Sequence, residues 1–188
     1  MDLKLKDKVA LVTASSRGLG YATAQALAQE GAKIVLCARN ADPLETAAAT
    51  LADETSVEVL PVVADVSEEN DVHRLVNQTM EHFGRIDALF INTGGPMPGH
   101  FLDLEPRIWQ NAMNLIIQSA VYLTYEVVPV MRRQGGGSIL ANTSVTVRHP
   151  LDGLTLSNSL RPAVIGMVKS LSIELGPDNI RINAIAPG

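Results

Sequence analysis

The stretch that most constrains the fold is residues 9–20, which read VALVTASSRGLG. An apolar β-type run breaks into a turn that carries Gly18 and Gly20, and a helix-forming segment follows. Backbone N–H groups at the start of a helix lack partners and point along the positive end of the helix dipole, so they can hold a phosphate with little help from side chains. Glycine is needed where a Cβ would keep the phosphate away. The stretch predicts a phosphate site; an ordinary strand-to-helix turn is the alternative.

The residues after this turn favour a dinucleotide. A helical segment at 21–30 and a second apolar run at 33–38 complete a strand–helix–strand unit. NAD sites usually place a carboxylate about 20 residues beyond the glycines, where it binds the ribose 2′-hydroxyl. Ala38 stands there instead, and Arg39 follows it. Because Arg39 and Arg17 could clamp a 2′-phosphate in charge-assisted bonds, we predict NADP(H); a solvated surface charge is the alternative for each arginine.

Apolar runs of strand length alternate with helix-period segments along the whole chain. Strict alternation predicts an α/β fold, a doubly wound parallel sheet with helices on both faces, in one domain spanning residues 1–188. This is the three-layer α/β/α Rossmann arrangement. The predicted strands are 9–13, 33–38, 57–64, 88–92, 138–143 and 180–186. The predicted helices are 19–30, 43–54, 68–83, 106–133 and 159–175.

Composition excludes several classes of function. The net charge is −5, and the 15 lysines and arginines form no block of like sign, so we expect no nucleic-acid or anionic-membrane partner. The single cysteine, Cys37, lies in an apolar strand and predicts a buried structural thiol without disulfide or metal-ligand spacing. No run approaches the roughly 20 apolar residues that cross a bilayer. We therefore predict a cytoplasmic protein with no metal site.

Two helical segments, 112–131 and 163–175, carry apolar side chains almost all the way round. Such helices need cover on two sides. The sheet covers one side, and a symmetry-related copy is the simplest cover for the other, which predicts a homodimer or homotetramer. A groove for the remainder of a longer chain is the alternative.

Several motifs resemble the short-chain dehydrogenase/reductase family, from Leu5 to the last residue. Residues 13–20 resemble its TGxxxGxG turn with Ala14 in place of the first glycine, which we expect to be tolerated if residue 14 keeps a negative φ. Residues 87–94, DALFINTG, are similar to its D-x-L-V-N-N-A-G, and the final IRINAIAPG is similar to its I-R-V-N-x-x-x-P-G. The resemblance implies cofactor contacts from Ser15, Ser16, Arg17, Gly18, Leu19, Gly20, Arg39, Asp65, Val66, Asn92, Gly94, Arg161, Pro187 and Gly188.

The catalytic positions depart from the family. Asn114 resembles the asparagine of its catalytic tetrad, and Ser144 resembles its catalytic serine. The family's Tyr-x-x-x-Lys should begin thirteen residues after Ser144, where the chain reads SNSLR, so Ser157 replaces the tyrosine and Arg161 the lysine. The register is fixed from the other side as well, because PAVIG at 162–166 resembles the family's A-A-V-x-G.

These replacements remove the usual proton donor. A serine hydroxyl is a far weaker acid than a phenol, and arginine stays protonated, although Arg161 can still donate to ribose hydroxyls. His149 is the candidate substitute acid, with bound water, Asp152 and His100 as further candidates, and exposure to solvent is the commoner role of a loop histidine. Two functions stay open. One is an NADP(H)-dependent oxidoreductase of the 3-oxoacyl reductase type that acts on a small carbonyl compound or alcohol, and the other is a non-catalytic NADP(H)-binding sensor or partner subunit.

The sequence ends at Pro187 and Gly188, where the family's chain continues into its substrate lid and last strand. An open sheet edge and uncovered helices are costly in a finished protein. We therefore expect a piece of a longer polypeptide; a naturally occurring polypeptide that lacks the substrate-binding region is the alternative.

Overall fold

The computed structural model describes residues 3–188 and contains one parallel sheet of six strands in the order β3-β2-β1-β4-β5-β6. The predicted doubly wound α/β fold is confirmed. The strands are β1 Val9–Thr13, β2 Lys33–Ala38, β3 Val59–Val63, β4 Ala88–Ile91, β5 Gly137–Asn142 and β6 Ile180–Ile185. The helices are α1 Gly18–Gln29, α2 Ala41–Thr55, α3 Glu69–Phe83, α4 Pro106–Met113, α5 Ser119–Arg133 and α6 Thr155–Glu174.

Alternation along the strands divides the core into two layers. In β1, Val9 and Leu11 face the layer formed with α3, α5 and α6. Ala10 and Val12 face the layer formed with α1 and α2. Because both sheet faces are covered, the central strands are apolar at nearly every position, as a parallel sheet requires.

The strand order reverses between β1 and β4. The chain leaves β1 towards one side of the sheet and leaves β4 towards the other, so the loops at the carboxyl ends of these two strands diverge. A crevice opens where they part, which is the usual ligand position in an open α/β sheet.

The two largest differences from the sequence prediction concern the helix at 106–133 and the third strand. The predicted helix 106–133 is interrupted by a π-helical turn at Asn114–Gln118, a wider turn that the helix-period pattern does not reveal. The third strand is shorter than 57–64, and its Pro61 is tolerated because β3 is an edge strand that pairs with β2. The helices predicted to be apolar all round expose Val121, Tyr125 and Ile173 as large apolar side chains. A covering copy of the chain stays a prediction.

Within the described part of the chain, no helix combines the length and the apolar character that crossing a membrane demands. Residues 3–188 also contain no cluster of three histidine, cysteine or acidic side chains that could hold a metal ion. The compartment and the absence of a nucleic-acid partner stay predictions.

Candidate cofactor cleft and active site

A cleft of about 570 Å³ lies at the carboxyl edge of the sheet, where the strand order reverses. The segments that follow β1, β2, β3 and β4 supply most of its wall. Its lining includes Ala14, Ser16, Arg17, Gly18, Leu19, Ala38, Arg39, Asn40, Asp65, Val66, Asn92, Thr93, Gly94, Leu115, Asn142 and Arg161.

The turn after β1 uses left-handed backbone at two positions. Gly18 has φ +62°, and Ala14 has φ +47°. The condition under which we expect alanine to be tolerated, a negative φ at residue 14, is therefore not met: the turn has the left-handed geometry that favours glycine, and the alanine is strained there. A Cβ at Gly20 would overlap the carbonyl group of Ala14, so this glycine permits the close packing of α1 against the turn, and its predicted phosphate contact stays a prediction.

Ser15 connects β1 to β2 and does not line the cleft. Its buried hydroxyl donates to the Val12 carbonyl oxygen at 2.7 Å and accepts from the Cys37 N–H at 2.9 Å. Burial raises the pKa of the Cys37 thiol to about 12, with the nearby Asp65 and Asp71 adding to the effect, so this cysteine is the neutral buried thiol that the sequence predicts. The adjacent Ser16 does line the cleft.

The end of β2 carries positive charge. Ala38 occupies the position where NAD sites place a carboxylate, and the next side chain, Arg39, is 72% exposed at the cleft. Arg39 Nη1 lies 3.7 Å from Asp65 Oδ2, a long and solvated ion pair that leaves the guanidinium available to a ligand. Arg17 lines the same cleft from the glycine turn.

Asn92 connects the ends of three neighbouring strands. Its Nδ2 donates to the Ala14 carbonyl oxygen at 3.3 Å, its Oδ1 accepts from Asn142 Nδ2 at 2.9 Å, and its backbone N–H donates to Thr13 Oγ1 at 2.9 Å. This network fixes the wall of the cleft on which the glycine turn rests. Sequence reasoning missed Thr13 and Asn142, although each is a polar residue at the carboxyl end of a buried strand, which is a signal for a site.

Ser144, Ser157 and Arg161 meet at a second cavity of about 150 Å³. Ser157 Oγ lies 3.0 Å from Thr146 Oγ1, and Ser144 Oγ accepts from the Thr146 N–H at 3.3 Å. Because the Ser144 hydroxyl acts as acceptor in that bond, its proton is free for a ligand. The remaining lining residues are Gly95, Pro96, Met97 and Leu154.

Arg161 joins this cavity to the cofactor cleft, because it lines both. The residue is 8% exposed. Its Nη1 donates to the carbonyl oxygens of Asn142 and Thr143 at 3.3 and 3.2 Å, whereas its Nε has no hydrogen-bond partner. Burial of the guanidinium lowers its pKa from the ordinary arginine value.

Asn114 and His149 lie outside this cluster. The side-chain Oδ1 of Asn114 accepts from Gln110 Nε2 at 3.0 Å. Ile116 is the residue of the π-helical turn that lines the small void beside Arg161. His149 is exposed, and its backbone N–H donates to the Val145 carbonyl oxygen. The other candidate acids, His100 and Asp152, are exposed and 3.7 Å apart.

The chain terminus lies next to the Ser144 turn. The Val145 N–H donates to the Pro187 carbonyl oxygen at 2.8 Å. Gly188 follows as an exposed residue. Neither residue lines the cleft of about 570 Å³, so their predicted cofactor contact stays a prediction.

The parallel sheet, the glycine turn and the cleft at the reversal of strand order define a protein of the Rossmann class. The chain belongs to the short-chain dehydrogenase family, whose family model matches residues 8–188.

Comparison with known proteins extends this assignment. Over 185 residues, the chain is 38% identical to "Dehydrogenase/reductase SDR family member 4" of Sus scrofa, covering 98% of this chain and 66% of the relative. The chain thus spans about two thirds of that relative's length.

Among solved structures, L-sorbose reductase from Gluconobacter frateurii, complexed with NADPH and L-sorbose, matches with a TM-score of 0.97 and 38% identity over 100% of this chain and 72% of that chain. A 7α-hydroxysteroid dehydrogenase complexed with NADH and 7-oxo glycochenodeoxycholic acid matches with a TM-score of 0.94 and 29% identity over 100% of this chain and 72% of that chain.

Proposed function

We propose that this chain binds NADP(H) and acts as an oxidoreductase that interconverts a small carbonyl compound and its alcohol with an atypical proton donor. The observation that carries the proposal is the position of Arg161, which lines both the cofactor cleft and the cavity that contains Ser144 and Ser157. A substrate in that cavity would lie beside the cofactor.

The cleft fits a nicotinamide dinucleotide. Gly18, Gly94 and Gly95 line it, and a Cβ built on any of them would meet open space, so the backbone is accessible to a ligand there. The NADPH bound to the related L-sorbose reductase and the NADH bound to the related hydroxysteroid dehydrogenase support a nicotinamide cofactor in this cleft. When bound, the cofactor supplies or accepts a hydride.

Two arginines favour the phosphorylated cofactor. Ala38 occupies the position where NAD sites place a carboxylate, so the end of β2 itself presents no negative charge to a 2′-phosphate, and the nearby Asp65 carboxylate is paired with Arg39. Arg39 and Arg17 border the same cleft and can donate charge-assisted hydrogen bonds to phosphate oxygens.

The chain's own residues would polarise the reacting oxygen without a phenol. Ser144 has a free hydroxyl proton to donate to a carbonyl oxygen or alkoxide, and Ser157 is oriented by Thr146. The buried charge of Arg161 makes the cavity favourable to negative charge as it develops on that oxygen. Because His149 lies outside the cavity, we assign the proton to water that enters through the cleft.

Cofactor choice is tested by titrating NADPH and NADH into the purified chain. We expect tighter binding of NADPH, and we expect Arg39→Ala to weaken it about tenfold, the loss of one charge-assisted contact, while leaving NADH affinity unchanged. Arg148→Ala removes an exposed arginine outside the cleft and serves as the control. Equal NADPH affinity in Arg39→Ala and the natural chain would refute the assignment.

Catalysis is tested by following NADPH oxidation with a panel of ketones and 3-oxoacyl thioesters. The proposal expects turnover by the natural chain and its loss in Ser144→Ala with NADPH affinity retained. Activity that appears only in the double variant Ser157→Tyr, Arg161→Lys would favour the alternative, a non-catalytic NADP(H)-binding sensor or partner subunit. The replacement of both tyrosine and lysine is the observation that keeps this alternative open.

A further inference from the structure

We infer that the cavity formed by Ser144, Ser157 and Arg161 binds a carboxylate, and that the substrate is therefore a small oxo acid or hydroxy acid. The claim that the substrate is an oxo acid or hydroxy acid depends on the proposed function, whereas the claim that the cavity binds a carboxylate does not.

Arg161 is a buried cation without a carboxylate. It is 8% exposed, and none of the ion pairs formed within residues 3–188 involves it. Its Nη1 has two backbone carbonyl oxygens as acceptors, which are dipoles rather than charges. A buried charge is costly unless it is paired and hydrogen-bonded. An anionic ligand would supply the missing partner.

The free edge of the guanidinium matches a carboxylate. Nη1 donates to the carbonyl oxygens of Asn142 and Thr143, whereas Nε and Nη2 donate to none of the described residues. These two nitrogens form the side-on edge of arginine, which binds both oxygens of a carboxylate in parallel when both nitrogens are accessible. Nε is buried in this conformation, so Nη2 is the nitrogen that a ligand can reach directly. The same edge of Arg85 holds Asp87 in this protein, with Nε to Oδ2 at 2.8 Å and Nη2 to Oδ1 at 2.7 Å.

The cavity limits the ligand to a small molecule. Its volume is about 150 Å³, and the hydroxyls of Ser144 and Ser157 supply further donors on its wall. The carbons of Pro96, Met97 and Leu154 line the rest, which suits a short aliphatic chain. The replacement of tyrosine by serine at 157 leaves a hydroxyl at the cavity wall instead of a phenol ring.

The cofactor itself would not neutralise Arg161. The hydroxyls of a nicotinamide ribose are neutral, and the 2′-phosphate is assigned to Arg39 at the end of β2. The pyrophosphate is predicted at the glycine turn after β1, which lies two strands, or about 10 Å, from β5 in the sheet order. Arg161 donates to carbonyls at the end of β5, which is three strands away from β2 in the sheet order. Three strand spacings amount to about 14 Å, too far for one phosphate to pair with both arginines. The charge of Arg161 thus stays available to the substrate.

The test compares propionate with propionamide, which have nearly the same shape and differ in charge. Each is titrated into the full chain, with and without NADP⁺, at constant ionic strength, and binding is followed by saturation-transfer NMR and calorimetry. We expect propionate to bind at least about tenfold more tightly than propionamide. Arg161→Gln should abolish this preference, and Arg148→Gln, which removes an exposed arginine, should retain it.

Three results would overturn the inference: equal binding of propionate and propionamide by the natural chain, an unchanged preference in Arg161→Gln, or binding of inorganic phosphate without binding of propionate. If Arg161→Gln does not fold, Arg161→Lys replaces it and should keep a weakened preference because it keeps the charge. The comparison of propionate with propionamide is made on the natural chain and needs no variant.

Failure of the inference and failure of the proposed function give different results. A chain that prefers propionate but binds neither NADPH nor NADH would retain the carboxylate site and refute the oxidoreductase. A chain that oxidises NADPH with neutral ketones and shows no preference for propionate would support the oxidoreductase and refute the carboxylate site.

Discussion

Replacing Ala14 by glycine should stabilise this protein, although substitution by glycine usually destabilises a folded chain. Ala14 has φ +47°, in the left-handed region that L-residues avoid. That conformation is unfavourable by about 1–2 kcal/mol for an alanine and by almost nothing for a glycine. The glycine also makes the unfolded chain more flexible, at a cost of about 0.4–1 kcal/mol. The expected net gain is about 0.5–1 kcal/mol.

The gain is measurable by urea denaturation and by thermal unfolding. For a chain of this size, about 1 kcal/mol corresponds to an increase in Tm of roughly 2–4 °C. The urea midpoint should rise with an unchanged slope, because the surface exposed on unfolding stays the same. The hydrogen bond from Asn92 Nδ2 to residue 14 is retained, since its acceptor is a backbone carbonyl oxygen.

Ala38→Gly is the matched control. Ala38 also lines the cofactor cleft, but it ends strand β2 and is absent from the residues with positive φ. Glycine there loses backbone entropy without relieving strain, so this variant should be less stable by about 0.5–1 kcal/mol. A decrease in Tm in Ala14→Gly as large as that in Ala38→Gly would contradict backbone strain at Ala14.

Two further predictions concern stability. Gly20→Ala should lower the free energy of unfolding, measured by urea denaturation, by about 2 kcal/mol or more because its Cβ would overlap the backbone of Ala14 and Ser15. Gly166→Ala, in a helix with open space around the glycine, should raise it by about 0.5–1 kcal/mol, and equal effects of the two variants would exclude the overlap as the cause. Burial of Asp87 disfavours its charged form, but hydrogen bonds from Arg85 and the Val9 N–H outweigh burial and hold its pKa below the usual range. The stability that Asp87 contributes should thus be present above about pH 4 and be lost as the pH falls through the folded pKa. In Asp87→Asn, Tm should therefore decrease less steeply at acid pH than in the natural chain, whereas the exposed control Asp53→Asn should show the natural decrease.

The sequence predicts the framework of the fold well because its signals are local. Strands β1 and β2 were predicted at their observed bounds, since each is a continuous apolar run that ends at polar or turn residues. The π-helical turn at Asn114–Gln118 could not be predicted, because a continuous helix-period pattern runs through it. The positive φ of Ala14 was also missed, because alanine usually adopts a negative φ and the residue type gives no signal for the left-handed conformation.

The cofactor half of the site follows from the sequence better than the catalytic half. Arg17, Gly18 and Arg39 line the cleft because fixed spacings after β1 and β2 place them at the carboxyl edge of the sheet. Asn114 and Ile116 are two residues apart and point in nearly opposite directions around a helix, so the motif alone could not tell which of them faces Arg161. The position of His149 depends on a loop that no spacing constrains.

The pair Ser157 and Arg161 shows where local reasoning ends. Their separation of one helical turn places both side chains on one face of α6, and this much follows from the sequence. Their partners come from elsewhere: Thr146 from the segment after β5, and the carbonyl groups of Asn142 and Thr143 from the end of that strand. Two carbonyl dipoles hold the guanidinium in place and leave its charge uncompensated. This tertiary arrangement, at the positions where the family's tyrosine and lysine are replaced, makes the cavity suited to an anion.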